Sequence, residues 1–368
     1  MPTINLLYFY LTEGCNLACR HCWIGPRFDT AGNHNPTLPV ELFETAIREA
    51  KPLGLSGVKL TGGEPLLHPH FTRLLEIVRR EELKLMIETN GLLCTPEIAA
   101  EIAKSPNRFV SVSIDGADAE THEWVRGVPG SFKAARQAVN NLVAAGARPQ
   151  VIFTVMRSNA GQVDAIVHMA EELGAASVKF NVVQPTARGE KLHKDQETLN
   201  VAELIELGRR VELELAPKTN LRVFFDYPQA FRALSRIAAG DGCGVCGILG
   251  ILGVIASGHY ALCGIGEQAP DLVFGEVRKD RLEGVWREHT ILKALREGLP
   301  ERLEGVCSHC LMKWRCMGSC VAQNYYRSGR LWAPNWFCEQ AEEAGLFPAS
   351  RLGTRPAQPS RQSSRCGD

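Results

Sequence analysis

Short apolar segments alternate with amphipathic segments through the first half of the chain, and this alternation limits the folds open to it. The apolar segments are β-branched or aromatic, as buried strands are, and they cover residues 6–11, 57–61, 83–87, 109–114, 150–155 and 177–183. Apolar residues at helical spacing predict helices over residues 39–53, 131–145 and 162–174. Strands that alternate with helices pair in parallel through right-handed crossovers. We therefore predict an α/β fold built on a barrel or a partial (β/α)6 barrel of the TIM type, with its chemistry at the C-terminal ends of the strands.

The charge balance excludes several classes of partner. The 368 residues include 41 basic and 41 acidic side chains, which gives a formal net charge of zero. No excess of Lys or Arg is available to neutralise phosphates, so we expect neither a nucleic-acid partner nor a membrane-surface partner. No apolar run reaches the roughly 18 residues of a membrane span, and the start at residues 1–5 lacks the features of a signal peptide. A cytoplasmic protein is expected.

Thirteen cysteines are unevenly distributed along the chain. In a cytosolic protein, clustered cysteines are more often metal ligands or catalytic groups than disulfides. The first group has the spacing C-x3-C-x2-C directly after the first strand: Cys15, Cys19 and Cys22. A structural zinc would need a fourth ligand, but the next cysteine is the distant Cys94. The group suits a [4Fe–4S] cluster that keeps one iron open; the alternatives are a zinc site completed by His21 or His34, or buried free thiols.

This cysteine group, with His21 in place of the usual aromatic residue before the last cysteine, resembles the radical SAM superfamily. In that family the open iron binds S-adenosylmethionine, and a Gly-Gly-Glu motif holds its amino group. Gly62, Gly63 and Glu64 match the motif. Glycines allow close backbone approach, and a carboxylate accepts hydrogen bonds from an ammonium. Matches at later strand ends imply further cofactor contacts from Asn90, Ser113 and Arg126, of which Arg126 would pair with the methionine carboxylate. The resemblance also implies a cofactor contact from His21 and an adenine-side loop at residues 185–189.

A second group of cysteines begins near residue 243. From Cys246 onward its spacing is C-x11-G-x4-C, then C-x2-C-x5-C-x3-C-x17-C, which resembles the SPASM extension with its two auxiliary iron–sulfur clusters. The resemblance implies a nearer cluster on Cys246, Cys263 and Cys320, and a distal cluster on Cys307, Cys310, Cys316 and Cys338. Cys243 is the candidate fourth ligand of the nearer cluster. If Cys243 is not a ligand, the iron that it would bind has an open site that could hold a substrate thiolate. Two zinc centres, each with four cysteine ligands, are the alternative.

The same spacing predicts how the chain is divided. The barrel is expected over residues 1–220, the SPASM domain with its linker over 221–348, and a disordered tail over 349–368. A β-hairpin with a glycine turn is expected over residues 254–262, between Cys246 and Cys263. Cys94 and Cys366 match neither cysteine pattern.

The resemblance implies a radical enzyme with three [4Fe–4S] clusters and S-adenosylmethionine, reduced by a flavodoxin- or ferredoxin-type donor. Its 5′-deoxyadenosyl radical would abstract a hydrogen atom, and the auxiliary clusters favour net oxidation. The expected reaction is a thioether or carbon–carbon crosslink in a ribosomally made precursor peptide. The alternatives are a dehydrogenase or bond-forming enzyme for a small molecule or tetrapyrrole, and a metal-binding electron-transfer or scaffold protein.

Two features narrow the reaction. Gly264 stands where related sulfatase maturases carry a catalytic Asp, which argues against formylglycine formation. Few residues precede Cys15, so we expect the leader peptide to be bound by the barrel and extension or by a separate protein. The general base is not assigned at this stage, although Glu267, Asp226 and Tyr260 are conceivable.

Overall fold

The computed structural model describes residues 2–28, 35–238 and 246–353. Cys243, His34, Cys366 and most of the predicted tail therefore lie outside the described residues. The strands are β1 (Leu6–Tyr10), β2 (Gly14–Cys15), β3 (Arg27–Phe28), β4 (Gly57–Thr61), β5 (Lys84–Thr89), β6 (Arg108–Ser113), β7 (Gln150–Val155), β8 (Ser177–Val182), β9 (Arg222–Asp226), β10 (Ile251–Val254), β11 (His259–Ala261) and β12 (Val273–Glu276).

Helices connect the strands of the barrel and make up most of the C-terminal part. They are α1 (Val40–Ala50), α2 (Phe71–Arg80), α3 (Pro96–Ala103), α4 (Ala119–Arg126), α5 (Ser131–Ala144), α6 (Val163–Glu172), α7 (Arg188–Lys194), α8 (Val201–Arg210), α9 (Leu234–Ala238), α10 (Leu282–Glu288), α11 (Thr290–Gly298), α12 (Gly305–Ser308), α13 (Lys313–Cys316), α14 (Val321–Ser328) and α15 (Trp336–Glu343).

Ten strands form one open sheet in the order β12-β11-β10-β1-β4-β5-β6-β7-β8-β9. All neighbours from β10 to β9 are parallel, whereas β11 and β12 are antiparallel. The six predicted strands are confirmed as β1 and β4 to β8, and the three predicted helices as α1, α5 and α6. The α/β partial-barrel prediction is therefore confirmed.

The parallel sheet contains more strands than the six that the sequence predicted. The five-residue strand β9 extends it at one side, and this strand was not predicted because its charged ends interrupt the apolar pattern. The predicted hairpin forms with β10 and β11 as its arms, so it begins three residues earlier than the expected range of 254–262. Its first arm pairs in parallel with β1, because Leu6 lies opposite Ile251 and Phe9 opposite Val254. Hydrogen bonds thus join strands on both sides of residue 220, and the domain division at that residue stays a prediction.

The two faces of the barrel strands have different chemistry. Side chains alternate between faces along a strand. In β4, Val58 and Leu60 are fully buried beneath the helices, while Lys59 between them points inward. In β8, Val178 and Phe180 are buried and Lys179 points inward. The outer face therefore supplies the apolar core, and the inner face forms a polar lumen. Within the described ranges, no helix combines the length and apolarity needed to cross a membrane.

A buried ion pair links the segment that precedes β9 to the segment that follows it. Arg232 and Glu212 are each 2% exposed, with 2.6 Å between Nη1 and Oε1. The Tyr227 hydroxyl donates to the other Glu212 oxygen at 2.9 Å, and Arg232 also donates to the Phe225 carbonyl at 2.6 Å. The pair thereby holds the end of β9 against the π-helical segment Val211–Leu215 that follows α8.

Glu212→Ala is expected to lower the free energy of unfolding by about 3–5 kcal/mol, because it leaves the Arg232 charge buried without its partner. Asp164→Ala is the matched control, since its ion pair with Arg210 is solvent-exposed and should contribute less than about 1 kcal/mol. Urea denaturation of both variants measures the difference. Equal transition midpoints would contradict the structural role of the Glu212 pair.

Candidate active site

A cavity of about 320 Å³ lies at the C-terminal ends of the barrel strands. All ten residues predicted for the first cluster and for S-adenosylmethionine line it: Cys15, Cys19, His21, Cys22, Gly62, Gly63, Glu64, Asn90, Ser113 and Arg126. These residues come from separate segments of the chain, and the parallel strands bring them to one place. Their individual roles toward a cofactor stay predictions.

Gly62 and Gly63, which follow β4, allow the turn after this strand to lie close to the chain that leads to Cys15. A Cβ on Gly63 would lie 1.9 Å from the Gly14 carbonyl oxygen, and Gly62 has a φ of +121°. The Gly63 N–H donates to the Thr12 carbonyl at 3.0 Å, and the Glu64 N–H donates to that of Gly14 at 3.0 Å. Glycine is required at these positions because a side chain would collide with the chain leading to Cys15.

Glu64 is turned into the protein rather than into open space. It is 1% exposed, and its carboxylate accepts from the Thr89 hydroxyl at 2.6 Å and from the N–H groups of Asn90 at 2.8 Å and Leu66 at 3.0 Å. Burial raises the pKa of Glu64 to about 7, against the opposing effect of these donors. With its oxygens engaged by this chain, Glu64 fixes the turn after β4 against the turn after β5.

The loop that carries the cysteines is held by α4 and by Arg188. The N–H groups of Ala18 and Arg20 donate at 3.1 and 3.0 Å to the last carbonyls of α4, which satisfies a helix end that would otherwise lack partners. Arg188 donates to the carbonyls of Cys19 at 3.4 Å and Pro26 at 2.5 Å. The sequence suggested an adenine-side position for Arg188 and gave no sign of this clamp.

Asp115 is the site residue that the sequence analysis missed. It is fully buried after β6, and its Oδ2 lies 2.7 Å from Arg126 Nη2 and 2.8 Å from His21 Nε2, while its Oδ1 accepts from the Thr154 N–H at 2.6 Å. Burial alone would raise the pKa of Asp115, but the charges of Arg126 and His21 outweigh it and hold that pKa well below its usual range. An Asp-Gly pair directly after a predicted strand was the available signal.

The donor set of the first site fits a thiolate-bound cluster. Burial raises the pKa of Cys19, and the nearby Arg126 charge opposes that rise. Arg126 Nη1 donates to Cys19 Sγ at 3.5 Å, and Asn90 Nδ2 donates to Cys15 Sγ at 3.8 Å. Such donors stabilise sulfur that carries negative charge. The Arg126 charge is thus already engaged by Asp115 and Cys19, so its predicted contact with the methionine carboxylate would be an additional one.

A second cavity, of about 280 Å³, leads from the barrel toward the nearer auxiliary cysteines. Cys246 and Cys320 line it. Burial raises the pKa of Cys320, and the charges of Cys246 and Cys263 raise it further. Burial, with a smaller effect from Cys246, raises the pKa of Cys263 to about 12. The structure thus brings together the three described ligands predicted for the nearer cluster.

The distal cysteines also converge. All four line one small cavity, together with Leu303 and Phe347: Cys307, Cys310, Cys316 and Cys338. Within the described residues, no three Cys, His, Asp or Glu side chains are arranged to hold a single metal ion. The assignment of iron–sulfur clusters therefore rests on the shared cavities and on the thiol donor sets.

Three further predictions concern single positions. A Cβ on Gly264 would lie 2.2 Å from the Tyr10 ring, so this backbone leaves no room for the catalytic Asp of the sulfatase maturases. Cys94 is 4% exposed within the main apolar core and lines neither the first nor the second cavity. Of the conceivable bases, Tyr260 is fully buried and Glu267 lines neither cavity, whereas Asp226 lines both.

Comparison with known proteins agrees with this geometry. Residues 9–175 match the sequence profile of the Radical SAM superfamily. An AdoMet-dependent heme synthase of Methanosarcina barkeri is 29% identical over 88% of this chain and 93% of its own length. The mycofactocin maturase MftC of Mycobacterium ulcerans is also 29% identical, over 95% of this chain and 92% of its own. The crystal structure of Streptococcus suis SuiB bound to its precursor peptide SuiA has a TM-score of 0.72 at 17% identity, covering 92% of this chain and 76% of SuiB. The radical SAM resemblance is confirmed.

Gly63→Ala is expected to displace the segment leading to Cys15, because its Cβ would overlap the Gly14 carbonyl. We expect less iron after anaerobic reconstitution and weaker binding of S-adenosylmethionine, measured by iron analysis and equilibrium dialysis. Gly161→Ala is the matched control, since a Cβ there meets nothing within 4 Å. The same iron content and affinity in both variants would contradict this packing argument.

Proposed function

We propose that this radical SAM enzyme, which matches its family over residues 9–175, oxidatively modifies a ribosomally made precursor peptide. The proposed modification is a thioether or carbon–carbon crosslink. When bound, the cluster and S-adenosylmethionine supply the 5′-deoxyadenosyl radical that removes a hydrogen atom. The observation that carries the proposal is the continuity of the two cavities, which share Lys179, Val182, Gln184, Asp226 and Gln323. A substrate in this shared space is within reach of both the predicted cofactor site and the nearer auxiliary cysteines.

The chain's own residues have assignable tasks in this proposal. Gly62 and Gly63 provide the backbone surface for the amino group, and Asn90, Ser113, Arg126 and His21 line the rest of the cofactor space. Cys15, Cys19 and Cys22 hold the first cluster. The Asp115 contacts with His21 and Arg126 keep both side chains beside these thiols.

We extend the proposal to three [4Fe–4S] clusters. The convergence of Cys246, Cys263 and Cys320, and of the four distal cysteines at a separate cavity, supports two auxiliary centres. Cys243 remains the proposed fourth ligand of the nearer one. The eleven described cysteines are all free thiols, and thiols used in this way are typical of a reducing cytoplasm.

The similar maturase MftC and the fold shared with a peptide-bound enzyme support a peptide as the substrate. A flavodoxin- or ferredoxin-type protein is the proposed electron donor. A separate leader-binding protein is a proposed partner, and the shared cavity leaves the barrel and extension as the alternative leader site.

A Cys15→Ala, Cys19→Ala, Cys22→Ala triple variant should keep the auxiliary iron but lose the first cluster. We expect iron to fall from about 12 to about 8 atoms per chain, as for three and two four-iron clusters. Formation of 5′-deoxyadenosine after reduction should disappear. Iron analysis and chromatography measure the two results, and a variant that still formed 5′-deoxyadenosine would overturn the assignment of the radical site.

The peptide proposal is tested by co-expressing the chain with short open reading frames that neighbour its gene. The expected product is a peptide lighter by two hydrogen atoms for each modification, which mass spectrometry detects and fragmentation locates. The second candidate, favoured by the similar AdoMet-dependent heme synthases, is oxidation of a small molecule or tetrapyrrole. Turnover of a tetrapyrrole carboxylate with no change in any peptide would replace the first proposal with the second.

A further inference from the structure

We infer that Asp226 is the general base of the proposed oxidation, the residue that accepts the proton released as the substrate radical is oxidised. The inference rests on the proposed function, because it assigns a role within that reaction. The backbone at Gly264 leaves no room for the catalytic Asp that the sulfatase maturases carry at this position, so a base in this chain has to lie elsewhere.

Asp226 ends β9, and the alternation of that strand directs it into the lumen. Val223 and Phe225 are buried on the outer face, so Phe224 and Asp226 take the inner face. Asn181 of β8 lies opposite Asp226 in the sheet. Lys179, two residues earlier on the same face, holds the carboxylate with 2.9 Å between Nζ and Oδ2. The carboxylate is thus fixed in place while 40% of the side chain stays accessible.

Among the carboxylates of the described residues, Asp226 is the one that lines both cavities. Glu64 lines the first cavity, but its oxygens accept hydrogen bonds from this chain. Glu88 also lines the first cavity and is paired with Lys59 at 2.6 Å, yet it does not line the second. A base must reach substrate in the space where both the hydrogen atom and the electron depart, and Asp226 meets that condition.

A substrate C–H bond breaks homolytically, and its hydrogen atom forms the new C–H bond of 5′-deoxyadenosine. The carbon radical would then form a bond to a neighbouring sulfur or carbon atom and lose one electron and one proton. An auxiliary iron–sulfur cluster, when bound, would supply the electron acceptor, and the Asp226 carboxylate would accept the proton. The substrate loses two hydrogen atoms in total, and the protonated Asp226 returns its proton to solvent before the next turnover.

Asp226→Asn tests the assignment because the amide keeps the size and the contact with Lys179 but cannot accept the proton. The reconstituted enzyme is assayed for modified product per 5′-deoxyadenosine, whatever the substrate proves to be. Substrate binding is measured by fluorescence anisotropy, and frozen samples are examined for an organic radical by electron paramagnetic resonance. Asp226→Glu restores a carboxylate. Asp195→Asn is the matched control, because Asp195 also has a lysine partner, Lys191, and a similar side-chain exposure of 47%, but lines neither cavity.

For Asp226→Asn we expect unchanged substrate binding, continued formation of 5′-deoxyadenosine, an accumulating organic radical and a fall of about 10²-fold or more in product per 5′-deoxyadenosine. Asp226→Glu should recover part of the loss, and Asp195→Asn should keep the wild-type ratio. A wild-type ratio in Asp226→Asn, or an equal loss in Asp195→Asn, would overturn the base assignment. A wild-type enzyme that oxidises only a small molecule would instead overturn the peptide proposal, and Asp226 would be judged on that product by the same ratio.

Discussion

The fully buried carboxylate of Asp115 joins the parts of the chain on which the first site depends. It contacts His21 in the cysteine loop, Arg126 at the end of α4 and the backbone of Thr154 in β7. Arg126 in turn donates to Cys19. A buried charge of this kind is stable only when its partners are all in place, so the cysteine loop, the helix and the sheet have to adopt their arrangement together.

The sequence predicted the barrel strands and helices because their periodicity reports burial directly. It also predicted which residues line the first cavity, since motifs at the ends of parallel strands must meet. It could not predict Asp115 or the Arg188 clamp, because their roles come from partners far away in sequence. For the same reason, the sequence could not predict that the Glu64 carboxylate points into the protein. Strand β9 was missed because five residues with charged ends carry too little apolar signal.

The inner face of the barrel explains why this enzyme keeps an open lumen. In a filled barrel, branched apolar side chains from alternate strands occupy the interior in layers. Here the inward positions of β4, β5, β8 and β9 include two lysine–carboxylate pairs, Lys59 with Glu88 and Lys179 with Asp226. Paired charges remain solvated and do not close into an apolar core, so space remains between the cofactor side and the auxiliary cysteines.

The parallel pairing of β1 with β10 ties the two halves of the chain into one sheet. β1 also carries the chain into the loop of Cys15, Cys19 and Cys22. A polypeptide ending after β9 would leave one side of β1 as a bare row of N–H and C=O groups, and an exposed parallel strand of this kind invites pairing with other molecules. The cysteine-rich half therefore covers an edge of β1 that the first half of the chain would otherwise expose.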